Sequence, residues 1–164
     1  MSIRSPVVLL LALLALSGRP DRAGAEARDP SSLKGLGRTL CILVDEPDTD
    51  AQRAGLTAEK LKAAVEENLR KAGFTVAPSG PCLRASLRTH ALAAAGLVSH
   101  FVELALVEEV SPTRDPGLRF KAPTWLHGTV GTSLSGRLEP AVLATAASSV
   151  AVFADEYQLV NSDP

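Results

Sequence analysis

Residues 82–110 read CLRASLRTHALAAAGLVSHFVELALVEEV, and this stretch decides the fold. In its first part, apolar Leu83, Ala85 and Leu87 alternate with polar residues, which is the pattern of a half-buried strand. After a turn at residues 93–96, a longer run of alternating side chains continues to Val110. Two such runs joined by a short turn are expected to pair as an antiparallel hairpin.

A helix is predicted immediately before this hairpin. Thr57 is a favourable N-cap residue, and Gly73 suits the left-handed residue that ends a helix. Between them, apolar side chains recur on one face at Leu61, Val65 and Leu69, and charged side chains occupy most of the opposite face. These independent signals agree on one amphipathic helix.

The remaining periodic segments complete the predicted architecture. Three further strands and a second helix are predicted at residues 38–44, 74–76, 124–130 and 139–161. The element order is β-α-β-β-β-β-α. It predicts an α+β fold with a mostly antiparallel sheet of four to five strands and two helices on one face. Residues 38–161 then form one domain, preceded by a flexible leader at residues 26–37.

The overall composition limits the function classes that need to be considered. The chain has 164 residues, 46% of them hydrophobic and 21% charged, with a formal net charge of -1. Such a mixture excludes a disordered chain, a collagen-like repeat and a membrane protein with many spans. The balanced charge gives no basic surface for nucleic acid, so no nucleic-acid partner is expected.

Residues 1–25 carry the pattern of a secretory signal peptide. A basic n-region precedes the unbroken apolar run Pro6–Leu16, and Ala23 and Ala25 supply the small residues that signal peptidase reads. The run is shorter than the roughly 20 residues of a membrane-spanning helix. We expect cleavage after Ala25, with Ala27 as the alternative, and an exported protein that keeps no transmembrane anchor.

Cys41 and Cys82 are the two cysteines of the chain. An even number in an exported protein permits one disulfide, which would join two strands of the sheet. The alternative is a pair of buried free thiols that act as small apolar side chains. No C-x-x-C motif is present, so no redox centre, zinc site or other cofactor is expected.

The residues that acid–base or metal chemistry would use are scattered. The acidic loop Asp45–Asp50 lacks the central glycine and the final glutamate of a calcium-binding EF-hand loop, which favours a solvated turn. His90 and His100 could approach each other across the hairpin, with Glu103 as a nearby carboxylate. A small hydrolase or metal-dependent enzyme built from these groups is therefore the alternative to a non-enzymatic protein.

A partner-binding surface is predicted from three side chains. Arg84 and Arg88 share the polar face of one strand, and Trp125 is the single tryptophan of the chain. A solvated outer face for the arginines and a core position for the tryptophan are the alternatives. Gly128 and Gly131 do not match a phosphate-binding loop, and we expect them at a bulge or a turn.

Several short strings resemble a class of uncharacterised small exported bacterial proteins. They are Gly55-Leu56-Thr57, Leu69-Arg70-Lys71-Ala72-Gly73, Trp125-x-x-Gly128-x-x-Gly131 and a last helix that ends near Asn161. The topology is also similar to the TolB N-terminal domain and to curli-secretion-type αβ domains of the envelope. The resemblance implies a periplasmic or extracellular location and a protein partner in the cell envelope. The sequence therefore predicts an exported interaction module.

Overall fold

The computed structural model describes residues 30–162. The predicted signal peptide and its cleavage site at Ala23 and Ala25 lie outside these residues. The described part contains five strands and three α-helices, in the order β1 (Thr39–Val44), α1 (Thr49–Arg53), α2 (Ala58–Lys71), β2 (Thr75–Val76), β3 (Cys82–Leu92), β4 (Leu97–Val110), β5 (Phe120–Leu134) and α3 (Leu138–Asn161).

The strands form one mixed sheet in the spatial order β2-β1-β3-β4-β5. β1 runs parallel to both β2 and β3, whereas β3, β4 and β5 are antiparallel to one another. The α+β prediction is confirmed, and the sheet is mixed rather than purely antiparallel. The parallel part arises because α1, α2 and β2 carry the chain from the end of β1 back to the start of β3, as a crossover connection requires.

The hairpin predicted from residues 82–110 is present. β3 and β4 pair from Cys82 opposite Val107 to Leu92 opposite Leu97, and a 3-10 turn at Ala93–Ala95 joins them. β5 then pairs with β4 along its whole length, with an irregularity between Leu106 and Val107. β5 is longer at both ends than the predicted strand at 124–130, since pairing with β4 extends it.

The helices cover one face of the sheet, called here the inner face, and enclose the core. On α2, Thr57 Oγ1 accepts a hydrogen bond from Lys60 N at 3.3 Å, so the predicted N-cap is confirmed. α3 buries a stripe that consists of Leu138, Val142, Ala146, Ser149, Val150, Phe153, Ala154 and Tyr157. Phe153 meets Phe74 and Trp125 with ring centroids 5.4 and 5.0 Å apart, which fixes α3 against the sheet.

By length and hydropathy alone, the helical segment Ser135–Asn161 could cross a membrane. Core helices of soluble proteins pass the same test, and α3 packs along the inner face of the sheet through the buried stripe given above. We therefore describe α3 as a core helix of this domain.

Two features differ from the sequence prediction. The segment 45–55 contains the short helix α1, which begins after the N-cap Asp48. The described part of the predicted leader at 26–37 is docked: Pro30–Leu33 forms a 3-10 turn, and Leu33 is fully buried. Asn161 at the end of α3 holds this turn, since its Nδ2 donates to Leu33 O at 2.8 Å and its Oδ1 accepts from Gly35 N at 2.8 Å.

Candidate functional site

A disulfide joins Cys41 of β1 to Cys82 of β3. The two residues are directly opposite each other in the parallel pairing, with Cα atoms 4.4 Å apart, so the disulfide alternative left open by the sequence is the one the structure shows. Disulfides form and persist in oxidising compartments such as the periplasm and the extracellular space. The bond is therefore consistent with export.

The acidic loop after β1 is engaged in structural contacts. Asp45 forms a bidentate ion pair with Arg84 of β3, with Nε 2.9 Å from Oδ1 and Nη2 2.7 Å from Oδ2. This hydrogen bond and the charge of Asp45 raise the pKa of Arg84. Asp50 pairs with Arg53 at 2.9 Å. Arg84, predicted as a partner-binding residue, thus already has a partner within the chain.

Asp48 links α1 to β3. Its Oδ1 accepts from Ala51 N at 3.0 Å and from Thr89 Oγ1 at 2.6 Å, and its Oδ2 accepts from Thr89 N at 2.6 Å. Partial burial acts to raise the pKa of Asp48, but the hydrogen bonds from Thr89, Ala51 and Asp50 outweigh it and lower the pKa. Asp48 is therefore a capping residue. Within residues 30–162, no group of three or more His, Cys, Asp or Glu side chains could hold a metal ion.

His100 lies on the inner face of β4, beneath α3, and is 3% exposed. Its Nε2 is 3.2 Å from Thr145 Oγ1, and the Thr145 hydroxyl donates its own hydrogen to Ala141 O at 2.9 Å. Nε2 is consequently the donor to Thr145. The second ring nitrogen, Nδ1, and the nearby hydroxyl of Ser133 are buried without a hydrogen-bond partner among the described residues. Burial lowers the pKa of His100.

The structure does not bring His90 and His100 together. His90 is exposed on the helix-free face of β3, whereas His100 is buried on the inner face of β4. The two residues occupy successive pairs of the hairpin, with Thr89 opposite His100 and His90 opposite Ser99, so their side chains point to opposite faces. The groups of the predicted enzyme alternative are therefore separated by the sheet.

Trp125 packs in the core rather than on the predicted partner-binding surface. It is 4% exposed, its ring meets Phe153, and its Nε1 donates to Glu156 Oε2 at 2.6 Å. The regular pairing of β5 with β4 from Leu134 to Trp125 places Trp125 opposite the inward residue Leu106, and the irregularity of the ladder follows this pair. Arg88 is exposed on the helix-free face, and its predicted role in partner binding stays a prediction.

Gly128 and Gly131 are inside β5, not at a bulge or a turn as expected. A Cβ at Gly131 would collide with the ring of His100, which is directly opposite, and a Cβ at Gly128 would collide with the ring of Phe101. The two glycines therefore let large rings of β4 lie flat across β5, one on each face of the sheet.

The helix-free face becomes apolar toward β5, the last strand of the sheet. Leu126, Val130 and Leu134 project from this face and are 47%, 73% and 61% exposed. The segment 124–134 contains no charged side chain and no proline. Among residues 30–162, β5 has one strand neighbour, β4, so its other side is an edge of the sheet. We call residues 124–134 the β5 edge.

The β5 edge was missed by sequence reasoning. The predicted strand ended at Val130, which left out Leu134, and Leu126 was not singled out. The available signal was the absence of charge between Lys121 and Arg137 together with the spacing of the three apolar residues. Whether this strand lies at an edge depends on pairing with β4, which is not a local property of the sequence.

Comparisons with known proteins give no family. No protein-family model and no curated protein sequence matches the chain. A dodecamer of a PelC variant from Paraburkholderia phytofirmans is 16% identical, with a TM-score of 0.45, over 77% of this chain and 89% of that chain. A minor lipoprotein from Acinetobacter baumannii is 10% identical, with a TM-score of 0.24, over 75% of this chain and 87% of that chain. At these scores the likeness assigns no role, and the resemblance to TolB-type domains stays a prediction.

Proposed function

We propose that this chain is an exported, non-enzymatic interaction protein, periplasmic or extracellular, that binds an extended polypeptide segment along the β5 edge. The observation that carries the proposal is the β5 edge itself, an uncharged strand edge with three exposed apolar side chains. The signal-peptide pattern and the Cys41–Cys82 disulfide support export.

The chemistry of the edge supports a polypeptide partner. An added strand would pair with the N–H and C=O groups of β5 that point away from β4, and this main-chain pairing provides affinity with little dependence on sequence. Leu126, Val130 and Leu134 would then contact side chains on the same face of the added strand. Natural edge strands are commonly protected by lysine, proline or a bulge. Residues 124–134 contain no lysine and no proline, and the irregularity of the β4–β5 ladder is confined to the start of this segment, next to Trp125.

The arrangement of the titratable groups favours a non-enzymatic role. His100 is inaccessible beneath α3, and its Nδ1 has no carboxylate partner among the described residues that could orient it as a catalytic base. In the acidic loop, Asp45, Asp48 and Asp50 are engaged by Arg84, Thr89 and Arg53. These contacts stabilise the fold and leave the loop without a converging set of carboxylates.

A site-specific photocrosslinker tests the proposal in cells that export the protein. The crosslinking residue replaces Val130 on the β5 edge or, as the matched control, Thr75 on the opposite edge of the sheet, which is also exposed. We expect a covalent adduct with a polypeptide from position 130 and none from position 75. No adduct at 130, or equal adducts at both positions, would contradict the proposal.

The same samples test export. The mass of the protein recovered from the periplasm or the medium should correspond to cleavage after Ala25 or Ala27, and the two cysteines should resist alkylation until a reductant is added. An uncleaved chain that stays in the cytoplasm with alkylatable thiols would contradict it.

A further inference from the structure

We infer that the polypeptide bound at the β5 edge is a second copy of this chain, paired antiparallel about a two-fold axis at Val130. The inference rests on the proposed function and names its partner. It also fixes a register, in which Val130 lies opposite the partner's Val130 and Leu126 lies opposite the partner's Leu134.

The spacing of the apolar side chains makes the edge self-complementary. Leu126 and Leu134 are each four residues from Val130 and project from the same face. A two-fold axis at Val130 therefore superimposes the pattern on itself, as an isologous interface requires. In this register Gly128 meets the partner's Thr132, so a small residue faces a medium-sized one between the apolar pairs.

Charge also permits self-pairing. In an antiparallel pair of identical strands, every charged residue is repeated across the axis, and like charges directly opposite each other are destabilising. Residues 122–136 carry no charged side chain, so none is repeated in the paired segment. The nearest charged residues, Lys121 and Arg137, lie at opposite ends of this segment.

The helix above the edge supports the same arrangement. On α3, Thr145 and Glu156 hydrogen bond to His100 of β4 and Trp125 of β5, which marks the side of the helix nearest to β5. Beside them, four further side chains of α3 are spaced by seven, four and seven residues. Because an α-helix has about 3.6 residues per turn, these four lie along one line on its surface. This line consists of Ala141, Ser148, Val152 and Leu159, which are uncharged.

A second copy would cover this line. A two-fold axis perpendicular to the sheet keeps both α3 helices on the same side of the joined sheet, so the two lines would face each other. The small side chains at 141 and 148 permit close approach of the helices, and Leu159, which is 74% exposed, would gain an apolar environment. The joined sheet would contain ten strands.

Sedimentation analysis of the purified, oxidised protein tests the inference. We expect twice the chain mass for wild type and for the control Thr75→Lys, which places a lysine on the opposite edge. Val130→Lys places two ammonium groups across the axis, and we expect dimer affinity to fall on the order of 100-fold or more. Near-UV circular dichroism should show that both variants fold, because both positions are exposed.

Cysteine crosslinking tests the register, since Cys41 and Cys82 are bonded to each other. Under mild oxidation, Val130→Cys should form a covalent dimer, whereas Thr132→Cys should not, because residue 132 lies opposite residue 128 of the second copy. Crosslinking at 132 but not at 130 would overturn the register.

The outcomes separate this inference from the proposed function. A wild-type monomer, or a dimer that Val130→Lys leaves intact, overturns the inference. If position 130 still gives a photoadduct with a different polypeptide, the proposed function is supported even though the inferred dimer is not. If position 130 gives no adduct in cells, the proposed function fails as well.

Discussion

The two halves of the sheet are built in different ways. In the parallel half, β1 pairs with β2 only from Thr39 to Leu40 and with β3 only from Cys41 to Val44. In the antiparallel half, β4 pairs with β3 from Leu97 to Val107 and with β5 along its whole length. The short ladders are reinforced by a disulfide and by the Asp45–Arg84 ion pair, whereas the long ladders contain no disulfide.

This difference between the two halves of the sheet indicates which edge a partner could bind. The parallel half ends at β2, which has two residues and offers little backbone for pairing. The antiparallel half ends at β5, which is long, uncharged along residues 124–134 and apolar on its helix-free face. The parallel half is crosslinked by a disulfide, and the antiparallel half ends in a long edge strand to which another strand could be added.

Removing the disulfide should have the largest effect on the free energy of unfolding. The bond closes a loop with a sequence separation of 41, and the chain-entropy estimate for such a loop is about 4 kcal/mol. The variant Cys41→Ala/Cys82→Ala should lose a stability of this order in urea unfolding. If the dimer survives in conditions where this variant is folded, the two halves act independently. A loss of less than about 1 kcal/mol in the free energy of unfolding would show that the short ladders are stable without the disulfide.

Gly131→Ala tests how the antiparallel half is packed. The added methyl group would collide with the His100 ring, and overpacking of this kind costs about 1–3 kcal/mol. Gly136→Ala is the matched control because a Cβ there has open space, and its unfolding free energy should change by less than about 0.5 kcal/mol. Equal urea midpoints for the two variants would mean that the ring does not rest on β5.

Protonation of His100 should have the smallest effect on the free energy of unfolding, and this effect depends on pH. Burial lowers its pKa in the folded protein below the unfolded value of about 6.5, so protonation favours unfolding. Stability should be constant above about pH 7.5 and decrease as the pH falls through about 6.5, by at most about 1.4 kcal/mol per unit for one proton. His100→Gln should remove this decrease, and His90→Gln, at an exposed position, should retain it. If stability still decreases at acidic pH in His100→Gln, the decrease is due to other titratable groups.

Much of the fold follows from local sequence signals. The alternation in residues 82–110, the cap at Thr57 and the apolar stripe of α3 predict their elements because each signal depends on near neighbours. α1 was missed because a single helical turn depends on the tertiary contact between Asp48 and Thr89.

The candidate site depends on pairing, which explains why sequence reasoning found little of it. The register of β5 against β4 decides which residues of β5 face inward, and it places Trp125 in the core opposite Leu106. Which cysteines meet depends on the register of β1 against β3, which are joined only through a crossover. The position of β5 at the end of the sheet is likewise a property of the assembled strands.

Residue-resolved amide hydrogen exchange of the β5 edge tests the central claim most directly. Alternate residues of β5 direct their N–H groups away from β4, toward the side on which an added strand would pair with them. In the wild-type protein at associating concentration, we predict that they exchange much more slowly than in Val130→Lys, while the amides paired with β4 are equally protected in both. Equal and fast exchange of the outward amides in the two proteins would contradict strand addition at this edge.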